Sequence, residues 1–275
     1  MNADTIAGLT RGYARDGAVV IRGLLTDEQL EQLRDGIDGN LAALSHNAKV
    51  ASDPGDPGRF VEDFCTWQDN PHYRAIIFNS ALPSLAAALM QSACVRLYHD
   101  HMLTKEAGTL QPTPWHQDQP YYNITGQQTV SFWIPADAVP RAASLEFVAG
   151  SHLGPWLMPR SFLDHQARWF PEGSLAELPD IDAEPDRHTI LGWELEPGDV
   201  VAFHMLSLHR AAGTATRRRV FSVRCTGDDV RHAPRAWRTT PEFPGLVERL
   251  PAGAELDDPL FPLIWAQGQA LETMI

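Results

Sequence analysis

The stretch TVSFWIPA, residues 129 to 136, carries the alternation of side chains that decides the fold class. In an extended strand, successive side chains point to opposite faces of the sheet. One face therefore carries an apolar set that is typical of core packing, namely Val130, Phe132 and Ile134. The other face mixes small polar groups with one large aromatic ring, namely Thr129, Ser131 and Trp133. We interpret the segment as a strand that separates a core from a cavity.

Further short apolar runs, separated by turn signals, follow residue 94. They are VRLYHDHML (95–103), SLEFVAG (144–150), GDVVAFHMLSLH (198–209) and RRVFSVRCT (218–226). Short strands at this spacing are typical of an all-β sandwich or barrel. In the last run, Arg218 and Arg224 share one face, opposite Phe221 and Val223. In an acidic protein, an arginine-bearing strand face needs an anion or a carboxylate partner.

The amino-terminal third has a different pattern. It predicts a helix over 4–15, a strand over 18–23, a helix beginning after Thr26, a loop over 52–60 and a helix over 81–92. Gly17 ends the first helix, and the second has an apolar stripe formed by Leu30, Leu33, Ile37 and Leu41. The fold prediction is therefore mainly β with flanking α-helices. Because no change of composition marks a linker, we expect a single domain over residues 1–275.

The composition limits the class of protein. Hydrophobic residues make up 44% of the chain and charged residues 21%, as in globular proteins. The net charge of −13 argues against nucleic-acid binding, which depends on clustered Lys and Arg side chains. No apolar run is long enough to span a membrane, and the three scattered cysteines indicate no disulfide framework. We expect a cytoplasmic protein without nucleic-acid or membrane partners, and the sequence predicts no oligomeric state.

A histidine and a carboxylate lie two residues apart in TPWHQDQPYY, residues 113 to 122. On an extended segment His116 and Asp118 point the same way, so they either share a metal ion or form an ordinary hydrogen-bonded pair. A metal would need a third ligand, for which His209 at the end of a predicted strand is the best candidate. Two imidazoles and one carboxylate on one face are typical of non-haem Fe(II) oxygenases, whose opposite coordination face stays open for a bidentate co-substrate and O₂.

Arg218 begins the predicted strand that follows His209. From there its guanidinium could reach the open coordination face and bind a carboxylate through two parallel hydrogen bonds. The alternative is a surface arginine, since Arg217 and Arg219 are its neighbours. Alternate residues of a strand face opposite sides, and the side opposite Arg218 carries the packing residues Phe221 and Val223. We therefore expect Arg218 to face the interior.

Four segments occur together in a recognisable order. They are WHQD (115–118), LEFVAGSH (145–152), GDVVAFHMLSLH (198–209) and RRVFSVRCTGDDVRHAP (218–234). In this order they resemble the phytanoyl-CoA dioxygenase family, and the likeness extends from about residue 10 to the closing segment DPLFPLIW (258–265). The resemblance implies a double-stranded β-helix, a jelly-roll or cupin-like fold. It also implies an enzyme that uses Fe(II), 2-oxoglutarate and O₂ to hydroxylate a C–H bond, with release of succinate and CO₂.

The resemblance also implies roles for individual residues. The implied iron ligands are His116, Asp118 and His209. The implied co-substrate residues are Arg218, which would bind the distal carboxylate of 2-oxoglutarate, and the pocket-lining Gln117, Met102 and Trp133. Relatives often carry a Gly-Ser pair after the distal histidine and an asparagine further on, where this chain has Arg210, Ala211 and Thr214. One co-substrate hydrogen bond is therefore missing or supplied elsewhere, for instance by Thr129.

Two other functions remain open from the sequence. If Arg210 or the missing Gly-Ser pair blocks the co-substrate, the protein is a degenerate metal-binding protein on the same scaffold. If His99 and His101, with Glu106 near, form a His-x-His metal site, it is a cupin-like isomerase or hydrolase. His204 is interpreted as a core or second-sphere histidine.

The substrate is predicted only as a small molecule. The excess of arginine after residue 216 suggests an acidic one. The arginines of segment 230–243 are interpreted as part of a solvated loop, with a lid over an anionic substrate as the alternative.

Overall fold

The computed structural model describes residues 1–52, 55–159 and 173–269. The helices in this part are α1 (Ala3–Asp16), α2 (Asp27–Ala42), α3 (Pro71–Asn79), α4 (Leu82–Met90) and α5 (Leu246–Arg249). The four longest precede the main run of strands, so they form the amino-terminal flank that the sequence predicts.

The strands are short, apart from the two at the centre of the larger sheet. They are β1 (Ala18–Ile21), β2 (Lys49–Val50), β3 (Phe60–Phe64), β4 (Cys94–Lys105), β5 (Thr113–His116), β6 (Ile124–Thr125), β7 (Thr129–Pro135), β8 (Leu145–Val148), β9 (Ile190–Leu191), β10 (Val200–Phe203), β11 (His209–Ala211), β12 (Arg218–Thr226), β13 (Arg231–His232) and β14 (Leu263–Ala266).

Two antiparallel sheets form the body of the protein. The larger sheet has the order β1-β10-β7-β12-β4-β3-β2, and β14 also pairs with β4. The smaller sheet has the order β5-β11-β8-β9, and a separate ladder joins β13 to β6. The predicted mainly β, double-stranded β-helix fold with flanking helices is confirmed.

The larger sheet separates two hydrophobic cores. Its outer face packs against helices α1 to α4, and the buried side chains there include Tyr13, Ile37, Ile76, Leu85, Val130, Phe132, Ile134, Phe221 and Val223. Its inner face shares a second core with the smaller sheet, which includes Trp133, Leu145, Phe147, Phe203, Ala211 and Val220. The alternation predicted for β7 and β12 is therefore observed, with apolar side chains toward the helices.

The local signals of the amino-terminal part also agree with the structure. Gly17 ends α1 in the left-handed conformation, with φ 76°. Thr26 caps α2 through a capping box completed by Gln29, because each side chain binds the backbone N–H of the other residue. Of the predicted stripe on α2, Leu30, Leu33 and Ile37 are buried.

Three features differ from the prediction. The run 198–209 is interrupted after Phe203, and a turn leads to β11 at His209 in the other sheet. Helix α3 and strand β3 are absent from the prediction, because neither has a strong periodic pattern. The predicted loop over 52–60 ends one residue early, since Phe60 begins β3, and residues 53–54 lie outside the described part.

Within the described residues, no single helix is long and apolar enough to cross a bilayer. Helices α3 and α4, bent by 48° at the break between them, reach that length and composition only as a pair.

Gly17 joins helix α1 to the turn after β10, and the contribution of this contact to stability can be tested by substitution. Its carbonyl accepts hydrogen bonds from His204 N at 2.8 Å and from Ser207 Oγ at 2.7 Å. A Cβ there would collide with the side chains of His152 and Ser207, in a backbone conformation that disfavours L side chains. We expect Gly17→Ala to lower the free energy of unfolding by about 2 kcal/mol or more, as measured by urea denaturation.

Gly8→Ala is the matched control. Gly8 lies within α1, and nothing would come within 4 Å of an added Cβ. Because alanine has the higher helix propensity, this variant should be as stable as the wild type or up to about 1 kcal/mol more stable. Equal destabilisation by both substitutions would contradict the packing argument.

Candidate metal centre

His116 and His209 meet at the junction of two strands in the smaller sheet. His116 ends β5 and His209 begins β11, and the two residues are direct partners in the antiparallel register. Their ring centroids are 4.2 Å apart. The sheet thus brings together two imidazoles that are far apart in the sequence.

Both imidazoles are held in the tautomer that a metal ligand needs. His116 Nδ1 donates a hydrogen bond to the carbonyl of Pro114 at 2.8 Å, and His209 Nδ1 donates to that of Ser207 at 2.9 Å. Since a carbonyl can only accept, each Nδ1 carries the proton, which leaves each Nε2 with a free lone pair. Burial, followed by the nearby His116, lowers the pKa of His209 to about 3, which keeps this imidazole neutral.

Asp118 completes the group. Its Oδ1 lies 3.7 Å from His116 Nε2 and 3.8 Å from His209 Nε2. The ligand atoms of the three residues all lie within 4.8 Å of one another. Asp118 is held in place by its backbone N–H, which donates to the carbonyl of Met205 at 2.9 Å in the turn before β11.

Arg224 is the counter-charge of Asp118. Its guanidinium lies 3.3 Å from Asp118 Oδ2, and Ser131 Oγ lies 3.4 Å from the same oxygen. Burial alone would raise the pKa of Asp118, but the positive charge of the neighbouring Arg224 guanidinium holds it well below its usual range. The carboxylate therefore stays ionised, with Oδ1 directed to the histidines.

This donor set fits a ferrous ion. Two neutral imidazole nitrogens and one carboxylate oxygen form the facial triad that binds non-haem Fe(II) and leaves coordination positions for other ligands. Each of the three ligands also has a neighbour that fixes its orientation: a backbone carbonyl for each imidazole and Arg224 for the carboxylate.

Arg218 lies on the inner face of β12, at the end of the strand away from Arg224. It is buried, its guanidinium lies over the Trp133 ring at 5.5 Å, and it donates a hydrogen bond to the carbonyl of Ala143. Burial lowers its pKa to about 10, and no carboxylate in the described part of the chain forms an ion pair with it. Arg217 and Arg219, in contrast, both pair with Asp38, so strand parity placed the three arginines correctly.

Lys105 is a second buried cation beside Arg218. The two residues are direct partners across the β4–β12 ladder. Lys105 Nζ donates to the carbonyls of Gln111 at 2.7 Å and Ala212 at 3.1 Å. Burial, reinforced by Arg218, lowers its pKa to about 7. This pairing depends on strand register, which the sequence does not reveal.

The other predicted pocket residues take different positions. Trp133 lies inside the barrel beside Arg218. Gln117 follows His116, but its amide binds backbone groups of Leu157 and Leu206, so it joins two loops.

The structure does not bring Met102 or Thr129 next to Arg218. Met102 belongs to the core between sheet and helices, where it is the register partner of Phe221. Thr129 pairs with Thr226 at the opposite end of β12. Eight residues of extended strand correspond to roughly 25 Å between Thr129 and the level of Arg218.

The three residues that depart from the family pattern are small or are held by other partners. Arg210 points away from the iron ligands, pairs with Glu146 and Asp182, and lies over the Trp115 ring at 4.6 Å. Ala211 contributes only a methyl group to the inner core. Thr214 donates its hydroxyl to the carbonyl of Thr216 at 2.8 Å.

The other histidines considered from the sequence, His99, His101 and His204, lie outside the metal-ligand group. His99 and His101 are buried on β4, and His101 Nε2 lies 3.1 Å from Glu62 Oε1 rather than beside Glu106. His204 is buried, with its Nε2 donating to the carbonyl of Gln127 at 2.7 Å. Within the described residues, only His116, Asp118 and His209 have the spacing of a metal site.

Segment 230–243 is exposed at several positions but is packed against the chain at Arg235 and Thr240. Arg235 is half-buried, donates to the carbonyls of Tyr122 and Ile124, and lies over the Trp156 ring at 5.1 Å. Thr240 N donates to the carbonyl of Tyr121, whose ring lies 6.3 Å from that of His116. The segment is therefore packed onto the chain next to the metal ligands.

A family model described as phytanoyl-CoA dioxygenase (PhyH) matches residues 13–220, which is more than half of the chain. The chain belongs to the phytanoyl-CoA dioxygenase family. The comparison with curated proteins finds no match.

Solved structures share the fold. The epimerase SnoN, crystallised with Fe3+, alpha ketoglutarate and nogalamycin RO, is 20% identical with a TM-score of 0.76, and the match covers 96% of this chain and 100% of that one. The carbocyclase SnoK from nogalamycin biosynthesis is 23% identical with a TM-score of 0.72, over 96% and 97% of the two chains. EctD from S. alaskensis, crystallised with 2-oxoglutarate and 5-hydroxyectoine, is 17% identical with a TM-score of 0.63, over 87% of each chain.

The arrangement of His116, Asp118 and His209 predicts that the protein binds a divalent metal ion. The metal-free protein should bind one Co(II), a stable substitute for Fe(II), per chain in isothermal titration calorimetry. His209→Ala removes one of the three ligands and should weaken this binding by about a hundredfold or more.

His204→Gln is the control, because His204 is a buried histidine of the preceding turn whose side chain binds a backbone carbonyl. It should bind Co(II) as the wild type does. Equal loss of affinity in both variants would mean that the turn, rather than the His209 nitrogen, determines metal binding.

Proposed function

We propose that this chain is an Fe(II)- and 2-oxoglutarate-dependent dioxygenase that hydroxylates a C–H bond of a small molecule, and that one domain over residues 1–275 carries the activity. The convergence of His116, Asp118 and His209 in a member of this family is the observation that supports the proposal most strongly. When bound, iron and 2-oxoglutarate supply the oxidising power, since the co-substrate is decarboxylated to succinate as O₂ is reduced.

The residues around the triad have defined tasks in this proposal. His116, His209 and Asp118 would hold the metal through two imidazole nitrogens and one carboxylate oxygen. Arg224 keeps Asp118 ionised, so its carboxylate binds the metal rather than a proton. The backbone carbonyls that accept from each Nδ1 fix the ring orientations.

Arg218 is the residue that would bind the distal carboxylate of 2-oxoglutarate. A buried guanidinium without an acidic partner is costly unless an anion is present, because burial removes its hydration. Lys105 adds a second positive group beside it, and Trp133 supplies an apolar wall between Arg218 and Ser131. Gln117 has no role at this pocket, since its amide is occupied by backbone groups.

The two alternative functions have no supporting observation. The degenerate protein requires Arg210 or the missing Gly-Ser pair to block the co-substrate. Arg210 is held by Glu146 and Asp182 outside the barrel, and Ala211 contributes only a methyl group to the inner core. The cupin-like site requires His101 to be a metal ligand, yet its Nε2 faces Glu62.

The number of arginines does not by itself support an acidic substrate. Several of those after residue 216 are neutralised by nearby carboxylates, in the pairs Arg217–Asp38, Arg219–Asp137, Arg231–Glu255 and Arg238–Glu242. The substrate is therefore proposed only as a small molecule at this point.

Succinate formation tests the proposal. The protein with Fe(II), 2-oxoglutarate and O₂ should convert 2-oxoglutarate to succinate, and His116→Ala should abolish this conversion because it removes a metal ligand. With ¹⁸O₂ and a turned-over substrate, mass spectrometry should find one labelled oxygen in the product. Succinate without labelled product would leave the dependence on 2-oxoglutarate standing but replace hydroxylation by another outcome, such as epimerisation or ring closure.

Arg218→Met tests the co-substrate pocket. The variant would lose the charge-assisted hydrogen bonds between the guanidinium and the distal carboxylate of 2-oxoglutarate, so the KM for 2-oxoglutarate should rise by about ten- to a hundredfold. Co(II) binding to His116, Asp118 and His209 should stay unchanged. Arg217→Met is the matched control, because Arg217 is exposed and pairs with Asp38. The KM of this variant for 2-oxoglutarate should equal that of the wild type. An unchanged KM in Arg218→Met would remove Arg218 from the co-substrate site.

A further inference from the structure

A pair of buried polar side chains adjoins the metal ligands on the side away from Arg218. His99 of β4 and Arg224 of β12 are direct partners in the antiparallel register and lie on the inner face of the larger sheet. Their exposed fractions are 1% and 6%. Tyr122 contacts both, since its hydroxyl accepts from Arg224 Nε at 2.8 Å and its ring lies 5.2 Å from that of His99.

His99 offers a hydrogen-bond acceptor. Its Nδ1 lies 3.1 Å from the carbonyl of Asp100, so Nδ1 carries a proton and donates. Burial, followed by the charge of Arg224, lowers the pKa of His99 well below its usual value, so the ring is neutral. Its Nε2 is then an unprotonated acceptor, and it is buried without a partner among the described residues.

Arg224, the register partner of His99, offers a donor. Its Nε donates to Tyr122 and its Nη2 to Asp118 Oδ2, which leaves Nη1 buried and without a partner in the part of the chain that the structure describes. Thr129 Oγ1 is a third such atom. Thr129 lies on the same face of β7 as Ser131, which is the register partner of Arg224.

These unpartnered atoms are complementary to a group that both donates and accepts a hydrogen bond. A buried donor and a buried acceptor are each costly when left unpaired. A hydroxyl satisfies both, because it donates to one and accepts from the other. A carboxylate would place a charge against the lone pair of His99 and beside ionised Asp118, and an ammonium has nothing to accept from Arg224.

We propose that His99 and Arg224 form a subsite for an alcohol hydroxyl of the substrate, so that the substrate belongs to the hydroxylated small molecules. This inference rests on the proposed function, because it places the hydroxyl beside the metal ligand Asp118. Arg224 has a second task here, since the guanidinium that holds Asp118 also binds the substrate.

The test compares two probes of similar shape, cyclohexanol and methylcyclohexane, in which a methyl group replaces the hydroxyl. Binding is followed by the change in the visible charge-transfer band of the anaerobic complex of the protein with Fe(II) and 2-oxoglutarate. The wild type should bind cyclohexanol at least about tenfold more tightly. His99→Phe keeps an aromatic ring against Tyr122 but lacks the acceptor, so this preference should disappear.

His101→Phe is the matched control, because His101 lies two residues away on the same face of β4 and its Nε2 is already beside Glu62. It should keep the preference for cyclohexanol. As a readout independent of iron, the ¹⁵N resonance of His99 Nε2 in the zinc-substituted protein should shift with cyclohexanol and not with methylcyclohexane.

The outcomes separate the two proposals. If the charge-transfer band forms but the wild type binds both probes equally, or neither, the hydroxyl subsite is wrong and the dioxygenase proposal stands. A bound water that stays between His99 and Arg224 in a crystal structure with cyclohexanol would also overturn the subsite. If the band does not form at all, the dioxygenase proposal itself fails.

Discussion

The buried ion pair between Asp118 and Arg224 is the interaction on which the site depends. A carboxylate inside a barrel is costly unless an opposite charge or a metal compensates it. Arg224 supplies that charge from one side at 3.3 Å, and the two imidazoles face the other oxygen. The protein can therefore fold with Asp118 already ionised, and the metal binds to a group that is prepared for it. Loss of Arg224 would leave an uncompensated charge at the centre of the molecule.

Strand alternation keeps this charge apart from the main core. On β12, Phe221 and Val223 pack against the helices, while Arg218 and Arg224 point to the interior of the barrel. The same sheet thus carries the apolar area that stabilises the fold on one face and the cations of the site on the other. A shift of register by one residue would exchange the two sets, so the pairing of β12 with β4 and β7 fixes fold and site together.

Much of this could be read from the sequence, because it depends on short-range geometry. The two-residue period places Trp133 and Arg218 inside and Phe132 outside, and Gly17 and Thr26 mark helix ends by local backbone chemistry. Other features depend on long-range pairing, which the sequence does not reveal. The resemblance alone assigns Met102 and Thr129 to the co-substrate pocket, and only the register of β4, β7 and β12 shows that neither lies beside Arg218. The sequence does not predict the break after Phe203, because the apolar run continues through the turn in which the Met205 carbonyl holds Asp118.

The interior of the barrel then has two polar ends with different chemistry. At one end, Arg218 and Lys105 present positive groups with no acidic partner among the described residues to balance Arg218, which suits a carboxylate. At the other, His99 and Arg224 present an acceptor and a donor next to ionised Asp118, which disfavours a second anion. The charge at the first end therefore favours an anionic co-substrate, and the donor and acceptor at the second favour a neutral hydroxylated substrate. Because both ends lie on the same two strands, β4 and β12, one ladder sets the positions of the two ligands relative to each other.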